Sequence, residues 1–161
     1  MKMMRLFFLM TLSIIIISCN RDDEPNMDLD LKEQLLEFKI DGLLFKTSVG
    51  ENTAFGYTRV GNETVIAASD DLVGGGDVLL SFGVFGPAFS NYTVSENDNN
   101  QGFAIVITDT SGSITGYTAI SVDISIQEDG KGTKTIFSGT VRNTDNEIFQ
   151  LTEGLIIISS K

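Results

Sequence analysis

The groups in this sequence that offer chemistry are carboxylates, a single cysteine and a few aromatic rings. Histidine is absent, which excludes Ser-His-Asp triads, Cys-His pairs and histidine metal sites. Carboxylates and loop amides can still hold calcium, which takes oxygen ligands. The acid-bearing loops are "SDDLVGGGD" with Asp70, Asp71 and Asp77, "SENDNNQG" with Glu96 and Asp98, and "TDNE" with Asp145 and Glu147. The first three acids are the calcium candidates. No loop has EF-hand spacing: with Gly102 in the glycine position, the first ligand would be Asn97. Asn, Asp and Gly also serve tight turns, so the plain reading of these loops is turn chemistry.

Other chemistry has thinner support. Paired carboxylates could run glycoside hydrolysis, yet Asp123 is the one acid within a clear strand, and it shares a polar face with Ser121 and Ser125. "GGGD" at 74–77 lacks the lysine and the following helix of a phosphate loop. No cofactor is expected. The stretch "FGVFGPAFSNY" offers Phe85, Phe89 and Tyr92 as an exposed contact patch, against the alternative that they cap the core. Asn62-Glu63-Thr64 and Asn91-Tyr92-Thr93 match the glycosylation sequon.

Cys19 has the most telling surroundings. Lys2 and Arg5 precede an apolar run, Leu6 to Ile17, of about a dozen residues. That suits a leader h-region and is too short to span a bilayer. The run ends at Ser18, and "IISC" resembles the bacterial lipobox. The resemblance implies that residues 1–18 are a lipoprotein signal peptide, cut before Cys19, and that Cys19 carries diacylglyceryl and N-acyl (palmitate-type) chains. One chain binds a membrane marginally, at about 0.8 kcal/mol per buried CH₂, whereas two or more anchor stably. Lipidation also accounts for a lone cysteine in an exported chain. The acids Asp22, Asp23 and Glu24 follow, and this resembles the short acidic export signal after the cysteine of Bacteroidetes-type surface lipoproteins. The expected location is therefore the outer membrane, lipid-anchored and facing outward. The alternative is its periplasmic face.

Charge narrows the partners. The chain has 22 acidic residues against 11 basic, a formal net charge of −11. Losing the leader removes two basic residues and no acid. Nucleic acid is excluded as a partner, because phosphate binding needs clustered Lys and Arg.

The elements that would position these groups follow from the alternation of side chains. Residues 19–34 read as lipidated cysteine and acidic tether, with Asp30 and Glu33 offered as a capping box for one short helical turn bearing Leu31 and Leu35. From 35 to 161 the period is two. In "LLEFKIDGLLFKT", Asp41-Gly42 is a type I′ turn pair that sets Ile40 opposite Leu43 and Phe38 opposite Phe45. Those four share a face with Leu36. Gly61-Asn62 marks a second tight turn. Val78, Leu80, Phe82 and Val84 form one face of "VLLSFGVF", and "NYTV" is a short strand. "GFAIVIT" is apolar on both faces and expected centrally. Ile120, Val122, Ile124 and Ile126 point inward from "AISVDISIQ". "EIFQLTEGLIIIS" is either a bent strand or a hairpin at Glu153-Gly154. The fold class is all-β: an antiparallel β-sandwich or flattened up-and-down barrel of about ten strands.

The segment "FSGTV … IFQLTEGLIII" resembles the closing strands of small uncharacterised Bacteroidetes-type lipoproteins. Phe137, Gly139 and Thr140 match the first strand pattern, and Thr152 and Gly154 the second. Ile156 stands where that second pattern carries Phe, and "FKIDGLLFKT" resembles the group's opening hairpin. The resemblance implies export, anchoring and an all-β fold, and supplies no active site. The expected function is a lipid-anchored envelope module binding a protein or glycan. The alternatives are a carboxylate-dependent, glycan-directed envelope enzyme and a purely structural surface protein.

Overall fold

The computed structural model describes residues 34–47, 53–130 and 132–159. All belong to the second of two compact units, Leu31–Lys161. Cys19, the tether and the proposed cap at Asp30 and Glu33 lie outside the described residues. Leu35, drawn into a helical turn on sequence grounds, instead opens a strand and pairs with Ile157.

Ten strands follow in order: β1 Leu35–Ile40, β2 Leu43–Lys46, β3 Ala54–Val60, β4 Glu63–Asp71, β5 Asp77–Phe85, β6 Asn91–Ser95, β7 Gly102–Thr108, β8 Ile114–Asp129, β9 Gly132–Asn143 and β10 Ile148–Ser159. They form one antiparallel sheet in the order β2-β1-β10-β9-β8-β7-β5-β4-β3, with β6 also on β8. Turn chemistry sets the hairpins. Asp41 and Gly42 have φ of 48° and 82°, as a type I′ turn requires, and Ile40↔Leu43 and Phe38↔Phe45 are the resulting pairs. Gly61, with φ of 62°, supplies the positive first position of a type II′ turn between β3 and β4.

β8 is the hub. One edge pairs with β7 through Ile114–Thr118 and then with β6 through Ser121–Ser125, while β9 covers the other. Between the two partners lies a bulge at Ile120. The extra residue changes the phase of the strand. Val122, Ile124 and Ile126 are buried as expected, but Ile120 is only half-buried and Ala119 takes the inward position. β10 carries the matching irregularity. Glu153 has φ of 53°, and the register shifts between Leu151 and Gly154, so this segment is one bent strand and not a hairpin.

The bulges let the sheet curl. Phe103 on β7 and Phe137 on β9 are separated by β8, yet their ring centroids lie 5.7 Å apart. In a flat sheet, strands two places apart stand about 9.6 Å away, so these rings meet because the inward face is concave. Phe38 and Phe82 extend the chain of rings into β1 and β5. Leu36, Ile66, Leu80, Ile105, Leu151 and Ile156 complete the core. Each fully buried large side chain is worth about 1.5–3 kcal/mol. Beyond β2, Thr47 bridges Leu72, which follows β4. Leu43, expected on the core face, is 65% exposed because β2 is the edge of the sheet.

Candidate functional site: an aromatic cleft beside β3

β3 is the last strand of the sheet and approaches β10 without pairing to it. Between them opens a cleft of about 470 Å³. One wall is Phe55, Gly56 and Tyr57 of β3. Thr133 and Ile158 lie opposite, with Glu128 at the end of β8, and Phe89 projects from the β5–β6 loop. The rings of Tyr57 and Phe89 are nearly parallel, with centroids 6.4 Å apart and planes 10° apart.

The loop bearing Phe89 is fixed on both sides. The Arg59 guanidinium donates to Thr64 Oγ1 at 2.8 Å and to the Gly86 carbonyl at 2.9 Å. Gly86 N–H donates to the Asn62 carbonyl at 2.8 Å, and Ile126 N–H donates to the Ser90 carbonyl at 2.9 Å. The Tyr92 hydroxyl donates to the Pro87 carbonyl. Burial pushes the Tyr92 phenol up, with Arg59 acting in the opposite direction and Tyr57 reinforcing the rise. Phe89 is thus a 44% exposed ring on an anchored loop. Binding sites are concave, line their walls with apolar and aromatic side chains, and hold those side chains on supported elements.

Thr133 adds a polar element. It is 6% exposed and its Oγ1 has no hydrogen-bond partner; the same holds for Thr135, which is fully buried. Both point inward from β9, in phase with Phe137. A buried hydroxyl without a partner costs about 1–3 kcal/mol, and the Thr133 side chain lines the cleft.

The residues singled out from sequence are dispersed. Tyr92, proposed for an exposed patch, is only 8% exposed and belongs to the core. Alternation along β6 turns it inward, where it holds the loop instead of joining a surface. Phe85 is 47% exposed and does not line the cleft. Only Phe89 of the three reaches it, and its ring partner is Tyr57 of β3. Of the calcium trio, Asp71 and Asp77 face each other across β4 and β5, whereas Asp70 is 3% exposed on the opposite face. Asp70 accepts the Asp71 N–H at 2.8 Å. Among the described residues no three acids or cysteines gather in a metal-binding group.

The remaining acids serve their loops or neighbours. Glu96 pairs with Arg142 at 3.1 Å, and Asp123 accepts from Thr93 Oγ1 at 2.6 Å. Asn143 Oδ1 accepts the N–H groups of Asp145 and Glu147, both at 2.9 Å. Asp98 is pushed below the ordinary carboxylate range by the Asn100 N–H and the Gln101 amide. Asp109 is lowered chiefly by the Ser111 hydroxyl and the Ser113 N–H. Both shifts run opposite to what a general acid requires. A second hollow, about 290 Å³ over β6, β8 and β9, is lined by Thr93, Asp123, Ser138 and Ile136 among others.

Sequence reasoning missed Phe55 and Thr133. The available signal was the alternation in "TKTIF", which puts Thr133 and Thr135 in phase with the core residue Phe137.

No family model, curated protein or solved structure matches this chain.

Proposed function

We propose that this chain is a lipid-anchored protein of the outer membrane, facing outward, whose β-domain binds a protein or glycan in the cleft beside β3. The carrying observation is the anchored ring pair, Tyr57 and Phe89, at the mouth of a cleft of about 470 Å³. An exposed ring, Phe89, held at fixed spacing against the half-buried Tyr57 offers apolar contact area at low ordering cost. The leader, the lipobox and the acids after Cys19 support the anchor and its placement. Without the leader the net charge becomes −13, nine basic against 22 acidic residues, which keeps such a protein soluble.

Full-length lipidated protein in detergent micelles, applied to arrays of glycans and of peptides, tests the binding role. Phe89→Ala should keep the thermal unfolding midpoint within a few degrees, because its ring is partly exposed, and weaken the wild-type array signals at least tenfold. Identical signals for the two proteins, or no reproducible wild-type signal, would overturn the reading.

A further inference from the structure

We infer that the free edge of β3 accepts an extended polypeptide as an added strand, with one of its side chains seated in the aromatic cleft. This rests on the cleft being the ligand site and specifies what enters it. The other described sheet edges are shorter or tied down, whereas β3 nears β10 over only a short stretch and does not pair with it. β2 has four residues, its Lys46 pairs with Glu37 at 2.9 Å, and its end is tied down by the Thr47–Leu72 bridge and by the Val73 N–H on the Lys46 carbonyl. β6 has five residues. β3 has seven, its ladder with β4 runs without a bulge, it contains no proline, and its one charge, Arg59, is engaged by Thr64 and the Gly86 carbonyl. Natural sheets protect an edge with such devices, and an edge without them is a template for pairing.

The register shows which groups are presented. The two-residue turn at Gly61 and Asn62 makes Val60 and Glu63 a hydrogen-bonded pair, and such pairs alternate along an antiparallel ladder. Thr58, Gly56 and Ala54 therefore spend their main-chain groups on β4. The N–H and C=O groups of Phe55, Tyr57 and Arg59 face the open side. Phe55 and Tyr57 also place their side chains in the cleft. Main-chain donors and acceptors and the aromatic wall are thus supplied by the same residues.

This juxtaposition selects the ligand class. From Phe55 to Arg59 the edge runs about 14 Å, the length of four to five extended residues. An added strand repeats its N–H and C=O groups at the spacing this edge repeats, which a glycan does not. Every second side chain of the strand would turn toward Phe89 and Thr133. A ring on such a side chain meets the aromatic wall of Phe55, Tyr57 and Phe89. Glu128 at the cleft and the chain's net charge of −11 select against acidic peptides.

The probe is a seven-residue peptide alternating threonine with valine or tyrosine, titrated against full-length protein in micelles. Binding should slow amide hydrogen exchange at Phe55, Tyr57 and Arg59. N-methylating alternate peptide amides should weaken binding at least tenfold in one phase and little in the other. Equal tolerance of both N-methylated peptides, with Phe89→Ala still weakening binding, would overturn strand addition while leaving the cleft reading intact. Insensitivity to Phe89→Ala would overturn the cleft reading itself. No binding at millimolar peptide overturns the inference. So does a peptide-independent dimer broken by Thr58→Lys, which would assign the edge to a second copy.

Discussion

Gly154 lies flat against Phe137: a Cβ on Gly154 would stand 2.3 Å from the ring Cδ2 and 2.5 Å from the Phe137 carbonyl oxygen. The two residues are opposite each other in the β9–β10 ladder, beside the bulge at Glu153. The glycine makes room for the ring at the centre of the aromatic chain, and that chain closes the concave core. Gly154→Ala should therefore destabilise the domain by about 1–3 kcal/mol, the usual cost of overpacking. Urea unfolding would measure it. Adding Phe137→Leu should not restore stability, since the carbonyl clash stays and the large ring is lost.

The β1–β2 turn is tied to β10 through Asp41. Its N–H donates to the Gln150 carbonyl at 2.9 Å, and its carboxylate accepts the Gln150 N–H at 2.7 Å. Asp41 also adopts φ of 48°, which Asn tolerates better than Ala. Asp41→Ala should cost about 1–2 kcal/mol through the lost hydrogen bond and the strained turn. Asp41→Asn should cost less than half of that. Equal losses for the two variants, measured by thermal unfolding, would contradict this account.

Asp109 gathers the Ser111 hydroxyl and the N–H groups of Ser111 and Ser113 at 2.6, 2.8 and 2.9 Å. These donors favour the ionised form and depress the folded pKa below the ordinary 3.8. The stabilisation is fully present above the unfolded pKa and disappears as pH falls through the depressed folded value. Asp98 behaves in the same sense. Amide exchange at Ser111 and Ser113 should hold constant from neutral pH down to the ordinary carboxylate range, once corrected for intrinsic rates. It should then accelerate below that range, and Asp109→Asn should abolish the acid step.

Cys19→Ser should shift the protein from the membrane fraction toward a form without acyl mass, because the serine hydroxyl does not take the thioether-linked diacylglyceryl group. Fractionation with intact-mass spectrometry reads both outcomes. An unmodified wild-type thiol would contradict the anchor. Protease shaving of intact cells separates the outward face, where the domain is cleaved, from the periplasmic one.

Much of the fold was legible along the chain, since alternation and turn residues are local properties. Asp41-Gly42 fixed the register of the first hairpin, and Val78, Leu80, Phe82 and Val84 faced the core as their period required. Ile120 failed because a bulge adds a residue whose presence depends on the partner strand, not on the side chains beside it. Tyr92 failed because whether an aromatic beside Gly-Pro caps a core or faces solvent depends on which strands pack over it.

The lipobox-like context of Cys19, the absence of histidine and the all-β class came from the residues alone, because each follows from composition or short-range order. The cleft did not. Phe55 and Tyr57 on β3, Phe89 on a distant loop and Thr133 on β9 become neighbours only when the curled sheet brings β3 to the ends of β8, β9 and β10. No period in a sequence encodes a contact between strands that never pair, so that meeting belongs to the tertiary structure.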